Sequence, residues 1–229
     1  MILSDPEWQA VLLSLKVSGI AVAGSLPFGI LMAWILVRCR FPGKALLDSL
    51  IHLPLVLPPV VVGYLLLIGL GRRGIIGEKL YDWFGFSFAF SWRGAALASA
   101  VIAFPLMVRA IRLALEAVDI RLEQAARTLG AGRWRVFFTI TLPLTLPGVI
   151  VGTVLAFARS LGEFGATITF VSNIPGETRT IPLAMYSLIE TPGAEGAAAR
   201  LCVIAIVLAL ASLLASEWLA RLGRKRMGA

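Results

Sequence analysis

The sequence predicts an all-α integral membrane protein with five transmembrane helices, its N-terminus outside and its C-terminus inside. Three observations carry that prediction. Of the 229 residues, 59% are hydrophobic and the mean hydropathy is +0.89, well above the level of a soluble domain of this length. Charge-free apolar runs cover residues 17–37, 49–71, 94–108, 136–158 and 201–216, against a need for about 20 mostly apolar residues per helical span. The third and fifth runs reach that length once Trp92, Arg93, Arg109, Glu217 and Trp218 stand at the interfaces. Finally, the basic residues alternate with the runs. One set of loops holds Arg38, Arg40 and Lys44, then Arg109, Arg112, Arg121, Arg127, Arg133 and Arg135, then Arg221, Arg224, Lys225 and Arg226. The opposite set holds only Arg72, Arg73, Lys79, Arg93, Arg179 and Arg200, with Lys16 and Arg159 inside spans. The richer set belongs in the cytoplasm. The formal charge of +8 therefore records topology and interaction with a lipid bilayer, not a nucleic-acid surface.

The first span opens at Ser4-Asp5-Pro6-Glu7, where Ser4 or Asp5 can cap and Pro6 suits the first turn. No basic n-region or small-residue cleavage site precedes it, so it is expected to be a retained span rather than a signal peptide. Pro27 predicts a kink. Phe41-Pro42-Gly43 makes the first inner turn. The second span, with HLPLVLPPVVVGY, carries Pro54, Pro58, Pro59 and Gly63. A helix so broken persists in a membrane where its freed backbone groups line a cavity or meet protein partners, so Pro58, Pro59 and Gly63 are assigned to the wall of a pathway. His52 reads as an interfacial or packing histidine. Residues 71–92 form an outer loop with Tyr81, Trp83 and Trp92 placed for an aromatic belt. The third span contains Pro105 and a run of small residues that permits close helix contact.

The fourth span ends in ARSLGEFG, where Arg159 and Glu163, four residues apart, are expected to pair. Residues 165–196 are too short of apolar length for a further span, and read as an outer or partly re-entrant cap with a short amphipathic helix over 182–189. The pathway candidates on this side are Arg159, Gly162, Glu163, Gly165, Thr167 and Thr169. With Ser172, Thr178 and Thr180, the two threonines give this segment its hydroxyls. The fifth span is Ala- and Leu-rich and ends in the basic cluster. There is no internal repeat or linker, so residues 1–229 are read as one domain.

Between the third and fourth spans lies a polar, Arg-rich island at 123–143, EQAARTLGAGRWRVFFTITLP. Leu122, Ala125, Ala126 and Leu129 recur at helical spacing and predict a helix over 119–129. Gly130-Ala131-Gly132 then permits a sharp turn, and residues 133–141 resume helically toward Leu142-Pro143. Such a short helix, with a small Ala face and a glycine turn, allows another protein surface to approach closely.

This spacing resembles the EAA motif of ABC importer permeases, Glu-Ala-Ala, three residues, Gly, nine residues, Ile, one residue, Leu-Pro. Gln124, Ala125, Ala126, Gly130, Ile140, Leu142 and Pro143 stand on those positions, with Gln124 in the usual Glu place and Glu123 just before it. In that family the motif is a cytoplasmic coupling helix held in a cleft of the ATP-hydrolysing subunit. Residues 52–64, 127–148 and 157–182 further resemble the molybdate permeases of ABC importers, and the likeness runs along essentially the whole chain. The resemblance implies the type I (MetI-like) permease fold, a homodimer with a pathway on its axis, two cytoplasmic ATP-binding subunits, a periplasmic oxyanion-binding protein, and placement in the bacterial inner membrane.

The chain has no G-x-x-x-x-G-K-[ST] phosphate loop, so ATP and Mg fall to the partner ATPase. It has no H-E-x-x-H, no G-x-S-x-G and no Cys/His cluster, and its 2 cysteines, Cys39 and Cys202, are far apart in the chain. No metal site, no cofactor and no enzyme activity is expected of this subunit. Three readings compete: import of molybdate or tungstate, import of sulfate or thiosulfate by the same kind of machine, and a non-transporting scaffold that recruits a cytoplasmic partner. The broken second and fourth spans count against the scaffold.

Overall fold

The helix α5 (Trp92–Glu116) is the centre of the molecule: 61% of its most apolar window is buried, against 6% for the peripheral α11 (Glu195–Arg226). A computed structural model describes residues 3–226. Around α5 run α1 (Asp5–Arg38), α2 (Lys44–Val56), α3 (Pro59–Leu70), α4 (Gly77–Phe84), α6 (Ile120–Thr128), α7 (Arg133–Val136), α8 (Leu142–Leu161), α9 (Gly165–Val171) and α10 (Ile181–Ile189). Among the described residues all regular structure is helical. The side chains of the basic cluster after residue 220, which the sequence places inside, lie outside the described residues.

Small residues explain why α5 sits in the middle. Gly94, Ala95, Ala96, Ala98, Ser99 and Ala103 are all buried, so neighbouring backbones come close and gain van der Waals contact where lipid supplies no hydrophobic drive. The neighbours answer in kind. A Cβ on Gly29 of α1 would stand 2.8 Å from Met107 Sδ, and one on Gly152 of α8 would stand 3.0 Å from the Met107 carbonyl oxygen. Met107, Ile111, Leu36 and Ala156 fill the core between these three helices.

α1 is one helix of 34 residues that continues through Pro27, so the expected kink does not divide it. At 1.5 Å per residue it is about 50 Å long, more than the ~30 Å hydrocarbon core. Its start is fixed by Glu7, whose Oε2 accepts the Ser4 backbone N–H at 2.7 Å while Oε1 meets Arg200 Nη2 at 2.9 Å. That ion pair clasps the first turn of α1 to the beginning of α11.

Four helical stretches are long and apolar enough to cross a membrane: Asp5–Arg38, Trp92–Glu116, Arg133–Leu161 and Glu195–Ala215. The second sequence-predicted span is divided. α2 and α3 meet at the Pro58-Pro59 break with a bend of 114°, so α3 leaves the direction of α2 altogether and packs on α9. The prolines do more than kink this segment, because Pro59 lacks the N–H that would continue the helix and Leu57 before Pro58 is driven to extended backbone (ψ 142°). The loop over 71–92 also holds α4, a helix stopped by Gly85 at φ +69°, which the aromatic-belt reading did not anticipate.

Candidate functional site

The polar island folds as an elbow. Asp119 caps α6 by accepting the Arg121 N–H at 2.9 Å, and the other end closes as a Schellman turn. Gly130 has φ +86°, its N–H donates to the Arg127 carbonyl at 3.0 Å, and the Ala131 N–H donates to the Ala126 carbonyl at 3.0 Å. The predicted helix and the predicted stop thus fall where the sequence put them. The chain then rises through α7, a π-helical turn (Phe137–Thr141) and α8 as one stretch. The π-turn has a local cause. Pro143 cannot donate to the carbonyl of residue 139 and its ring crowds that oxygen, and a wider turn, with the Leu142 N–H on the Phe137 carbonyl, relieves both.

The side chains of the motif sort by direction. Gln124, Ala125, Gly130 and Pro143 face outward, whereas Ala126, Ile140 and Leu142 are half-buried. Leu122, Leu129 and Trp134 stand exposed beside them, Leu129 at 87%, which makes the elbow tip an apolar knob on a polar loop. Trp134 stacks on Phe138 with centroids 6.3 Å apart.

Glu123 points the other way and is 2% exposed. Its Oε1 receives Arg38 Nη2 at 2.8 Å and Nε at 3.1 Å, and also the Thr141 hydroxyl at 3.0 Å. Arg127 Nη2 stands 3.7 Å from Oε2. Arg38 in turn donates to the Leu115 and Val118 carbonyls, both at 3.4 Å, at the end of α5. One carboxylate therefore joins α6 to the end of α1, through Arg38 to the end of α5, and to the π-turn below α8. Sequence reasoning assigned Glu123 to the elbow and counted Arg38 only as a loop charge. The clue available was a lone arginine closing an apolar run, opposite an acidic residue in the next inner loop.

At the other end of the molecule, Arg159 and Glu163 pair as expected, Nη1 to Oε2 at 2.8 Å. Glu163 is 2% exposed, and its Oε1 also accepts the Ala166 N–H at 2.8 Å, which starts α9. Gly162 lies exposed at the turn between them. The structure brings Pro59, Gly63, Gly165 and Thr169 together where α3 crosses α9. A Cβ on Gly63 would fall 2.5 Å from the Ala166 carbonyl oxygen, and one on Gly165 would fall 2.8 Å from Pro59 Cβ. Pro58 stands exposed beside this crossing.

Three of the five hydroxyls already donate within the chain, whereas Thr180 Oγ1 is buried without a hydrogen-bond partner. Thr167 donates to the Phe164 carbonyl at 2.9 Å and Thr169 to the Gly165 carbonyl at 2.9 Å, while Thr178 donates to the Ser172 carbonyl at 3.0 Å. Helix α9 and the turn after it absorb these protons, because a threonine in a helix finds a carbonyl three or four residues back. His52 packs as expected, with Nδ1 2.8 Å from the Asp48 carbonyl oxygen and 3.1 Å from Asp48 Oδ1. Among the described residues no group of His, Cys, Asp and Glu could hold a metal ion.

Long apolar helices, a tightly packed crossing at one end and an exposed apolar elbow at the other define a polytopic membrane protein. The chain belongs to the family of binding-protein-dependent transport system inner membrane components, whose model matches residues 25–227. It is 82% identical over 228 residues to the molybdenum transport system permease protein ModB of Escherichia coli K12, covering 100% of both chains. The corresponding Haemophilus influenzae protein is 67% identical over 222 residues, 97% of each chain. The sulfate transport system permease protein CysT of Escherichia coli is 38% identical over 201 residues, 88% of this chain and 72% of that one. Among solved structures, the alginate ABC transporter in complex with its pentasaccharide-bound periplasmic protein aligns with a TM-score of 0.75 over 95% of this chain and 79% of that one, at 21% identity. The MetNI methionine transporter gives 0.67 over 96% and 99% at 14% identity. These likenesses establish the type I ABC importer permease fold. The protein is a transport component of the inner membrane, not an enzyme.

Proposed function

We propose that this chain is the permease subunit of an ATP-driven importer that carries molybdate, with tungstate as a second tetrahedral oxyanion, from periplasm to cytoplasm. Two copies form the pathway on their common axis, two cytoplasmic subunits bind ATP and Mg, and a periplasmic protein delivers the oxyanion. In this reading the N-terminus and residues 165–196 face outward, and the elbow and C-terminus face inward. The observation that carries it is Glu123, buried behind an exposed apolar knob and bonded to Arg38 and Thr141. A push on α6 from a closing ATPase reaches the inner ends of α1, α5 and α8 together, because the buried carboxylate holds all three. The α3–α9 crossing, backbone against backbone at Gly63, is the rigid counterpart at the outer end.

Identity of 82% to a molybdenum permease against 38% to a sulfate permease favours molybdate, and an inert scaffold has no use for a push transmitted to three spans. With the threonine protons of α9 committed to carbonyls, choice of substrate is assigned to the separate binding protein. The deciding measurement is uptake of labelled molybdate and sulfate by the reconstituted complex. ATP-dependent molybdate uptake that excess sulfate leaves intact is the expected result, and preferential sulfate uptake refutes the substrate. A cysteine in place of Arg127, in a chain lacking Cys39 and Cys202, is expected to react with an impermeant reagent only from the cytoplasmic side.

A further inference from the structure

A groove of about 800 Å³ runs between α1, α2 and α5. Its floor on α5 is Trp92, Ala96, Ala100 and Phe104, one residue per turn, and its wall on α1 includes Ile20, Gly24 and Phe28 at the same spacing. From Trp92 to Phe104 the groove is about 18 Å long, at 1.5 Å per residue, close to the hydrocarbon depth of one leaflet, half of the ~30 Å core. Its lining is almost wholly apolar except at one end. There Arg93 lines the mouth, with its guanidinium 5.6 Å from the centroids of both Phe86 and Trp92. Lys16, one turn before Ile20 on the same stripe of α1, places Nζ 3.7 Å over the Trp92 ring. Neither cation has a carboxylate partner among the described residues. Glu177 reaches this rim, but its Oε1 accepts the Trp92 backbone N–H.

We propose that this groove is a binding site for one anionic phospholipid, with an acyl chain laid along α5 and its phosphate between Lys16 and Arg93. Two unpaired cations around an interfacial tryptophan, at one end of a leaflet-deep apolar channel, match a lipid at both ends. A small anion would gain from the cations but leave the channel empty, and an apolar ligand would leave the cations unused. By the proposed orientation the lipid belongs to the outer leaflet of the inner membrane, since Lys16 and Trp92 lie at the end of the molecule opposite the elbow.

The test uses the full permease bound to its ATPase, purified in detergent and examined by native mass spectrometry with added phosphatidylglycerol or phosphatidylcholine of identical chains. The expected result is one retained lipid per permease chain, with phosphatidylglycerol preferred by at least about fivefold, the factor one basic residue contributes at an anionic surface. The double variant Lys16→Gln/Arg93→Gln is expected to lose that preference while still retaining lipid. Gly24→Leu is expected to expel either lipid. A Cβ at Gly24 meets nothing within 4 Å, so the new side chain fills the groove without disturbing the core. Retention unchanged in Gly24→Leu, or a preference unchanged in the double variant, overturns the proposal. So does a disulfide cross-link between the two permease copies through a Gly24→Cys substitution, since a second copy would then occupy the groove.

Discussion

Arg38 and Glu123 are 85 residues apart in sequence and meet through two hydrogen bonds, of 2.8 and 3.1 Å, on a single carboxylate oxygen. This contact is what makes the elbow part of the membrane bundle instead of a loop hung from it.

The first prediction follows from its burial, with the two side chains 15% and 3% exposed. Glu123→Ala leaves Arg38 with only weak carbonyl contacts and costs roughly 3–5 kcal/mol, the usual penalty of stranding one member of a buried pair. Adding Arg38→Ala should return about 1–2 kcal/mol of that. Thermal unfolding of the four proteins of this cycle measures it, and simple additivity of the two single changes would remove the pair from the coupling path. In both single variants molybdate transported per ATP hydrolysed should fall further than ATPase binding, because Glu123 faces away from the docking knob.

Gly130→Trp tests the knob itself. The φ of +86° makes any side chain strained, by ~1 kcal/mol or more, yet a Cβ there meets nothing within 4 Å. Membrane yield should therefore survive, while the protruding ring blocks seating in the ATPase and uptake is lost. Wild-type uptake with the ATPase still bound would show that the elbow does not couple the two proteins.

At the outer crossing, Gly63→Val must force α3 from α9, since its Cβ would press on the Ala166 carbonyl oxygen and come within 3.0 Å of Thr169 Cβ. Loss of several degrees of thermal stability and of transport is expected. Gly69→Ala, in the same helix and with nothing within 4 Å, is the control and should be neutral or stabilising by up to ~1 kcal/mol. Equal behaviour of the two variants would mean that the α3–α9 contact is not tight.

Arg159→Ala should damage the protein more than Arg159→Ala combined with Glu163→Gln. The single change leaves a buried carboxylate with one backbone N–H for company, a penalty of order 3 kcal/mol. The double change removes the charge and keeps the acceptor that starts α9. Detergent-solution melting and uptake report the order, and a double variant no better than the single one contradicts it.

The long apolar runs, the α6 helix, its Gly130 stop and the Arg159–Glu163 pair were legible because each is a matter of local spacing. What the sequence hid depends on distance along the chain. No periodicity joins Arg38 to Glu123 or Glu7 to Arg200; the packing of α1 on α5 sets the first meeting, and α10, which lies against both α1 and α11, sets the second. Four prolines and glycines marked α2 and α3 as broken, but the 114° bend depends on α9 being there to receive α3. The threonines around Thr167 were legible as hydroxyls and not as occupied ones, since their carbonyl partners exist only once α9 has formed.

The π-turn at Phe137–Thr141 also constrains the length of the chain between Gly130 and Pro143. Each residue of an α-helix turns the chain by about 100°, so losing or gaining one residue here would swing the elbow about a quarter of a circle around the axis of α8. Glu123 would then leave Arg38, and the apolar knob would point about a quarter turn away from its present direction. Within these residues side chains can be exchanged, but a single-residue deletion aims the whole lever in the wrong direction.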